Sequence, residues 1–274
     1  MPEFPETLIQ QEFPSPFDSA APFYDVEFEN SPATQRLRRI TTAAFLRFFN
    51  SGCHLLELNC GTGTDAIQLA RRGMTITATD ASPPMLEEAR KKIAGQGLSD
   101  RIRLEFLPFR DLARLKDREF DGVYSNMGGL NCIPDLREVG RELAGLLKPG
   151  GYVVACLLSN CCLWETTAFL VRGDIRSAFR RRKSDGAVAQ LHHVSLPVYY
   201  YSPASVAEQF APYFRKVSVT GLNIFSPPPS SRRAYDILGK GRVVLERLDD
   251  MISSVFPFNS LGDHFLIVLE KTGV

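Results

Sequence analysis

Residues His54 to Ala70, HLLELNCGTGTDAIQLA, leave the chain few folds to choose from. Leu55, Leu56 and Leu58 form an apolar run, Gly61 and Gly63 follow in a polar turn, and Ala66, Ile67, Leu69 and Ala70 then recur at helical spacing. Strand, glycine turn and helix in that order mark a ligand site. Glycine lets the backbone approach a ligand where a Cβ would collide, and the helix behind the turn presents free N–H groups at its positive end.

Gly61-Thr62-Gly63-Thr64-Asp65-Ala66 also satisfies the dinucleotide pattern G-x-G-x-x-G/A, so the glycines alone do not name the ligand. Glu57 discriminates. A carboxylate at the end of the strand repels a pyrophosphate but attracts a ligand that carries an ammonium and a sulfonium. The run Glu57-Leu58-Asn59-Cys60-Gly61-Thr62-Gly63-Thr64-Asp65 resembles motif I of the class I S-adenosylmethionine-dependent methyltransferases. That resemblance implies a methyltransferase (EC 2.1.1 class) with S-adenosyl-L-methionine as cofactor and S-adenosyl-L-homocysteine as product. It also implies cofactor contacts from Glu57, Asn59, Gly61, Gly63 and Asp65.

The next segments extend the resemblance. Thr75 to Thr79 is rich in β-formers and ends in Asp80, 17 residues past Gly63, where a carboxylate can accept hydrogen bonds from vicinal ribose hydroxyls. Ser82 followed by Pro83 starts a helix that closes at Gly95 and Gly97. Asp80-Ala81-Ser82-Pro83-Pro84-Met85 looks like the family's Asp-x-Ser-x-x-Met stretch, which implies Asp80 on the ribose and Ala81 with Met85 against the adenine; Met85 equally suits plain core packing. Pro108 stands where many relatives carry an acid for the adenine amino group, which leaves Phe109 and Arg110 for that end of the ligand.

Phe120 to Asn126 reads as the fourth strand. The loop after it, with Gly128 and Gly129, faces the crevice of a parallel sheet. By resemblance the transferable methyl lies near this loop, with Ser125 and Asn126 on the cofactor, Asn126 at the reacting centre and Asn131 on the acceptor; both asparagines equally suit turns. Upstream, Ser31-Pro32 starts an amphipathic helix through Leu37, Ile40, Ala44 and Phe48, and the Tyr24-Asp25 pair before it is similar to segments that close over the cofactor, which makes Tyr24 a lid candidate.

After a fifth strand at Tyr152 to Leu158 the sequence is its own. Residues 159–202 suggest one or two helices, with Arg172, Arg176, Arg180, Arg181, Arg182 and Lys183 clustered at their end as a solvated face or an anion contact. His192 and His193 are general-base candidates, and Tyr199 and Tyr201 are expected to line the acceptor pocket. Residues 203–274 continue as helix, strand, a helix from about Arg232 to Val255, and a last strand from Gly262.

The expected architecture is one α/β domain over 1–274, a doubly wound Rossmann-like sheet of seven strands. By resemblance its order is 3-2-1-4-5-7-6 with the last strand antiparallel. It divides into an N-terminal arm and lid helix (1–50), a cofactor-binding half (51–158), an acceptor cap inserted after strand 5 (159–202) and the rest of the sheet (203–274).

Charge is balanced, with 32 Lys and Arg against 31 Asp and Glu, so no global field draws the protein to nucleic acid or to an anionic membrane. No apolar run approaches the roughly 20 residues of a membrane span, the proline-broken N-terminus lacks signal-peptide features, and six cysteines form no C-x-x-C pair. These features point to a cytoplasmic monomer or homodimer without a metal that methylates a small-molecule acceptor by in-line displacement. An RNA or protein methyltransferase, a catalytically silent cofactor-binding module that docks a partner, and an NAD-dependent dehydrogenase remain alternatives.

Overall fold

A computed structural model describes residues 15, 17–183, 186–191 and 194–273. Its main sheet has seven strands: β1 (His54–Leu58), β2 (Thr75–Asp80), β3 (Ile102–Phe106), β4 (Phe120–Ser125), β5 (Leu147–Leu158), β8 (Phe214–Leu222) and β9 (His264–Lys271). They are ordered β3-β2-β1-β4-β5-β9-β8. The first five are mutually parallel, and β9 runs antiparallel to both neighbours. Once the two insert strands β6 (Ala187–Leu191) and β7 (Val194–Val198) are set aside, this is the expected order.

Both faces of the sheet are covered, which is why its central strands read as near-continuous apolar runs. One face buries α1 (Pro32–Phe48), α2 (Thr64–Ala70) and α3 (Pro83–Gly95), with Leu37, Phe45, Ile67, Leu69, Leu86 and Ala89 packed on Leu55, Ile76 and Val154. The other buries α4 (Arg137–Leu146) and α7 (Pro203–Phe210), with Val139, Leu143, Val206 and Phe210 on Leu56, Val123 and Ile267. Phe45 and Phe49 close on Tyr124 with ring centroids 5.0 and 6.4 Å away. A Cβ at Gly122 would stand 2.2 Å from the Phe49 ring, so glycine there lets the end of α1 seat on β4.

Several boundaries have local causes. Pro32 and Pro83 occupy first helical turns, and the Ser82 hydroxyl accepts the Met85 N–H. β5 begins at Leu147, earlier than expected, because Leu147 pairs with Phe120 before the irregularity at Gly122. β8 stops at Leu222 rather than Phe225, because Asn223 turns left-handed (φ 54°) and the N–H groups of 224–226 go to the Asp249 carboxylate.

The insert departs most from expectation. It holds α5 (Leu163–Val171), α6 (Ile175–Ala178) and an antiparallel pair in which Ala187 faces Val198 and Leu191 faces Val194. The expected helix from Arg232 is split at Gly239–Gly241 into α8 (Arg232–Leu238) and α9 (Arg242–Ile252). No helix among the described residues is long and apolar enough to cross a membrane.

Candidate functional site

A cavity of about 360 Å³ opens at the carboxyl ends of β1, β2 and β4. Its floor is the glycine turn. Gly61 (φ 53°) and Asn59 (φ 52°) are both left-handed, and this brings the Gly61 N–H within 2.8 Å of Asp80 Oδ2. The Ser82 N–H donates to Asp80 Oδ1 at 2.9 Å. Burial pushes the Asp80 carboxyl up to about 6, although the N–H groups of Gly61, Ser82 and Ala81 pull it down.

Expected contacts fall into two groups. Tyr24, Asn59, Gly61, Asp65, Asp80, Ala81, Met85, Phe109, Arg110 and Asn126 all border the cavity. Glu57, Gly63 and Ser125 do not. Gly63 faces α3, where a Cβ would stand 3.1 Å from the Ala89 Cβ, so its left-handed turn (φ 77°) serves helix packing. Ser125 is buried one step behind, donating to Asn59 Oδ1 at 2.6 Å. Glu57 lies beneath the floor, 2% exposed. Burial pushes its carboxyl well above the usual range, Asp65 adds to the push, and the Tyr124 hydroxyl opposes it. Its Oε2 has no hydrogen-bond partner among the described residues, and the acids that border the cavity itself are Glu29, Asp65 and Asp80.

Two of these acids are organised by Arg38, which the sequence analysis did not single out. Its guanidinium pairs with Glu29 and Asp65, and all three border the cavity. Asn126 Nδ2 donates to Asp65 Oδ2 at 2.9 Å and to Thr41 Oγ1 at 3.0 Å, so Asn126 positions the cluster as well as bordering the cavity. Arg38 Nε, Asp65 Oδ1 and Glu57 Oε2 are nonetheless buried without a hydrogen-bond partner among the described residues. A buried charged group left partly unpaired is costly, and such atoms beside a cavity are suited to a ligand that completes them. The signal in sequence was available: Arg38 stands one helical turn before Thr41 and Thr42, on the face of α1 that is buried.

The mouth is closed from two sides. The arm that precedes α1 lies over the glycine turn, with the Thr62 hydroxyl on Asp25 (2.6 Å), Lys92 Nζ on Asp25 (2.7 Å) and the Ser82 hydroxyl on Asp18 (2.5 Å). Tyr24 and Phe17 of this arm border the cavity, and burial raises the Tyr24 hydroxyl above its ordinary range, with Glu29 adding to the rise. Leu196 and Pro197 of β7 close the opposite side beside Cys132.

The expected acceptor residues are elsewhere. Asn131 is 1% exposed and works as a staple: Nδ2 donates to the Leu158 and Tyr199 carbonyls (3.0 and 2.6 Å), and Oδ1 accepts the Leu158 N–H (2.8 Å). Tyr201 is buried and donates its hydroxyl to the Ile133 carbonyl. Tyr199 packs against the α4 and α7 core. Neither tyrosine borders the cavity, because the chain there is a crossing segment tied down by Asn131 rather than an open pocket wall. His192 and His193 lie outside the described residues. Of the basic run, two members are engaged within the fold: Arg181, 6% exposed, pairs with Glu165 and Asp263, and Arg180 pairs with Glu165, whereas Arg172, Arg176, Arg182 and Lys183 are exposed.

Residues 55–151 match a family described as a methyltransferase domain. A demethylmenaquinone methyltransferase of Lactiplantibacillus plantarum is 36% identical over 151 residues, which is 52% of this chain and 60% of the relative. The chain thus spans less than two thirds of that relative's length. Among solved structures, the CcbJ methyltransferase of Streptomyces caelestis aligns with a TM-score of 0.61 at 17% identity over 94% of this chain and 98% of that one. The [4+2]-cyclase SpnF aligns at 0.59 and 16% identity over 93% of each chain, so the shared fold does not by itself fix the reaction. Through its glycine-turn motif, its sheet order and the match over residues 55–151, the chain is similar to the class I S-adenosylmethionine-dependent methyltransferases, and residues 55–151 match a methyltransferase domain.

Proposed function

We propose that the cavity binds S-adenosylmethionine and that the protein transfers its methyl group to a small-molecule acceptor. The observation that carries this reading is the pairing of two features on one cavity wall. Asp80 stands at the tip of β2 beside the glycine turn, and the Arg38, Glu29 and Asp65 cluster opposite it has buried polar atoms still to be satisfied. A ligand with a ribose at one end and a zwitterionic amino acid at the other answers both; a diphosphate would meet three carboxylates.

In this reading Asp80 accepts from the ribose hydroxyls, Ala81, Met85 and Phe109 lie against the adenine, and Arg38 with Asp65 and Glu29 takes the carboxylate and ammonium. The bound cofactor supplies an electrophilic methyl on a sulfonium. The chain's own work is orientation and exclusion of water, since methyl transfer from such a leaving group needs no protein nucleophile. Asn126 holds Asp65, Asn59 holds the 126 carbonyl (2.9 Å), and Phe17, Leu196 and Pro197 keep the mouth apolar. Tyr24, its hydroxyl held protonated by burial, serves as a donor rather than a base.

Three points support a small acceptor. The arm and β7 leave a bounded cavity rather than an open groove. Arg180 and Arg181 are engaged with Glu165 and Asp263, which removes two of the six clustered cations from any contact with a polyanion. The relative named above is a demethylmenaquinone methyltransferase, and demethylmenaquinone is a small molecule.

The test is incubation of the protein with methyl-labelled S-adenosylmethionine and a fractionated metabolite extract. Label should appear in a small-molecule fraction and disappear with Asp80→Ala. Label in protein or RNA instead, or cofactor binding with no transfer to any fraction, would contradict the reading.

A further inference from the structure

The α8–α9 region carries its polarity inside out. On the inner side of α9, buried Asp249 accepts the N–H groups of Ile224, Phe225 and Ser226 at 3.2, 2.7 and 3.2 Å. Arg36 Nη2 donates to Asp250 at 2.6 Å, and its Nε lies 3.6 Å from Glu246, which also accepts the Tyr235 hydroxyl. The outer side is apolar. Val244, Leu248 and Met251 follow at steps of four and three residues, which places them on one stripe of α9, and exposed Val255 follows just past its end. Met251 is 77% exposed, and Ile237 of α8 and Phe256 beyond α9 are 85% and 80% exposed.

The charges around this stripe are segregated as well. Arg232, Arg233, Lys240 and Arg247 are exposed, whereas three of the four acids of α8 and α9 are engaged by Arg36 or the 224–226 backbone, Asp250 while itself exposed. Asp236, also exposed, has no ion pair among the described residues. The near-neutral total of the chain hides this local excess.

We propose that the α8–α9 face docks on a lipid bilayer that contains anionic phospholipid. An apolar stripe flanked by Arg and Lys is the pattern of a helix that lies in the membrane interface, where the stripe enters the acyl boundary and the cations meet headgroup phosphates. A second copy of the chain suits the face less, because an isologous pairing sets these cations against their own copies. Leu222 pairs with His264 and His264 with Leu158, so the region leaves the sheet at the end that carries the cavity. Docking therefore brings the cavity-bearing end toward the bilayer.

The inference stands apart from the reading of the cavity, and its test needs no catalytic readout. The protein is sedimented with vesicles of phosphatidylcholine alone and of phosphatidylcholine with a third phosphatidylglycerol. Partition should be about tenfold higher on the anionic vesicles and should fall with added salt. It should drop by a similar factor in Met251→Asp/Phe256→Ser and in Arg232→Ala/Arg233→Ala/Arg247→Ala, with melting temperatures unchanged, since all five side chains are exposed. Equal partition on both vesicles, or no partition, overturns the proposal. So does a lipid-independent dimer, seen by light scattering, that Met251→Asp abolishes.

Discussion

Two buried arginines, Arg38 and Arg181, are each flanked by a pair of carboxylates, and they end in opposite states. Arg181 spends its whole guanidinium on the protein: Nε and Nη2 on Glu165, Nη2 on Asp263, and Nη1 on the Ser159 and Asp263 carbonyls. Burial alone would raise Asp263, yet Arg181 and His264 hold it well below the usual carboxylate range. Arg38 meets Glu29 and Asp65 but leaves its own Nε and Asp65 Oδ1 unpartnered beside a cavity. The same chemistry thus makes a closed staple under the insert and an incomplete cluster at the site. What separates a structural ion pair from a ligand-binding one is the inventory of unsatisfied atoms, and not charge or burial.

The largest effect that sharpens this contrast is on stability. Arg181→Met strands two buried acids and should cost about 3–5 kcal/mol, measured by denaturant unfolding. Added S-adenosylhomocysteine should still raise the melting temperature of the variant as far as it does in the native protein, because the staple does not reach the ligand. Asn131→Ala takes the side-chain partner from the Leu158 N–H and the Tyr199 carbonyl and leaves the Leu158 carbonyl only the Tyr201 N–H, and should cost about 2 kcal/mol with unchanged ligand affinity. A changed acceptor KM in that variant would return Asn131 to the acceptor site. Arg38→Gln should behave the other way from Arg181→Met. Its affinity for S-adenosylhomocysteine should fall by about 1.5–3 kcal/mol, roughly 10- to 150-fold, through loss of a charged contact.

The smallest effect is on pH. Asp80 titrates near 6 in the folded chain, above its ordinary value, so protonation is favoured by folding and ionisation is favoured by a ligand that donates to it. Ligand affinity should therefore be full above about pH 6 and lost as pH falls through it, roughly tenfold per unit once below. The dependence should shrink in Asp80→Asn, and a flat profile in the native protein would remove Asp80 from the ribose.

Residues 51–158 were legible because their motifs are demands on the backbone. Gly61 must be left-handed, Ser82-Pro83 must start a helix, and Asp80 must end its strand beside the turn, and each of these holds whatever packs around it. The burial of Glu57 was not legible because alternation along β1 gives the face of a residue and not its depth below the cavity floor. In the insert, meaning came from partners distant in sequence. Arg181 looked like one of six surface cations until Asp263, 82 residues on, met it, and Tyr201 looked like a pocket wall until the Ile133 carbonyl accepted its hydroxyl. The β6–β7 pair was hidden by Pro197 and by the lack of a glycine or asparagine turn signal between its strands.

The central claim, that the cavity is built for a ligand with a ribose and a zwitterionic end, is tested most directly by calorimetric titration at pH 7.5. S-adenosylhomocysteine should bind the native protein one to one and bind Asp80→Asn and Arg38→Gln at least tenfold more weakly, while NADH gives no heat. Binding of NADH, or S-adenosylhomocysteine affinity that both substitutions leave intact, would contradict it.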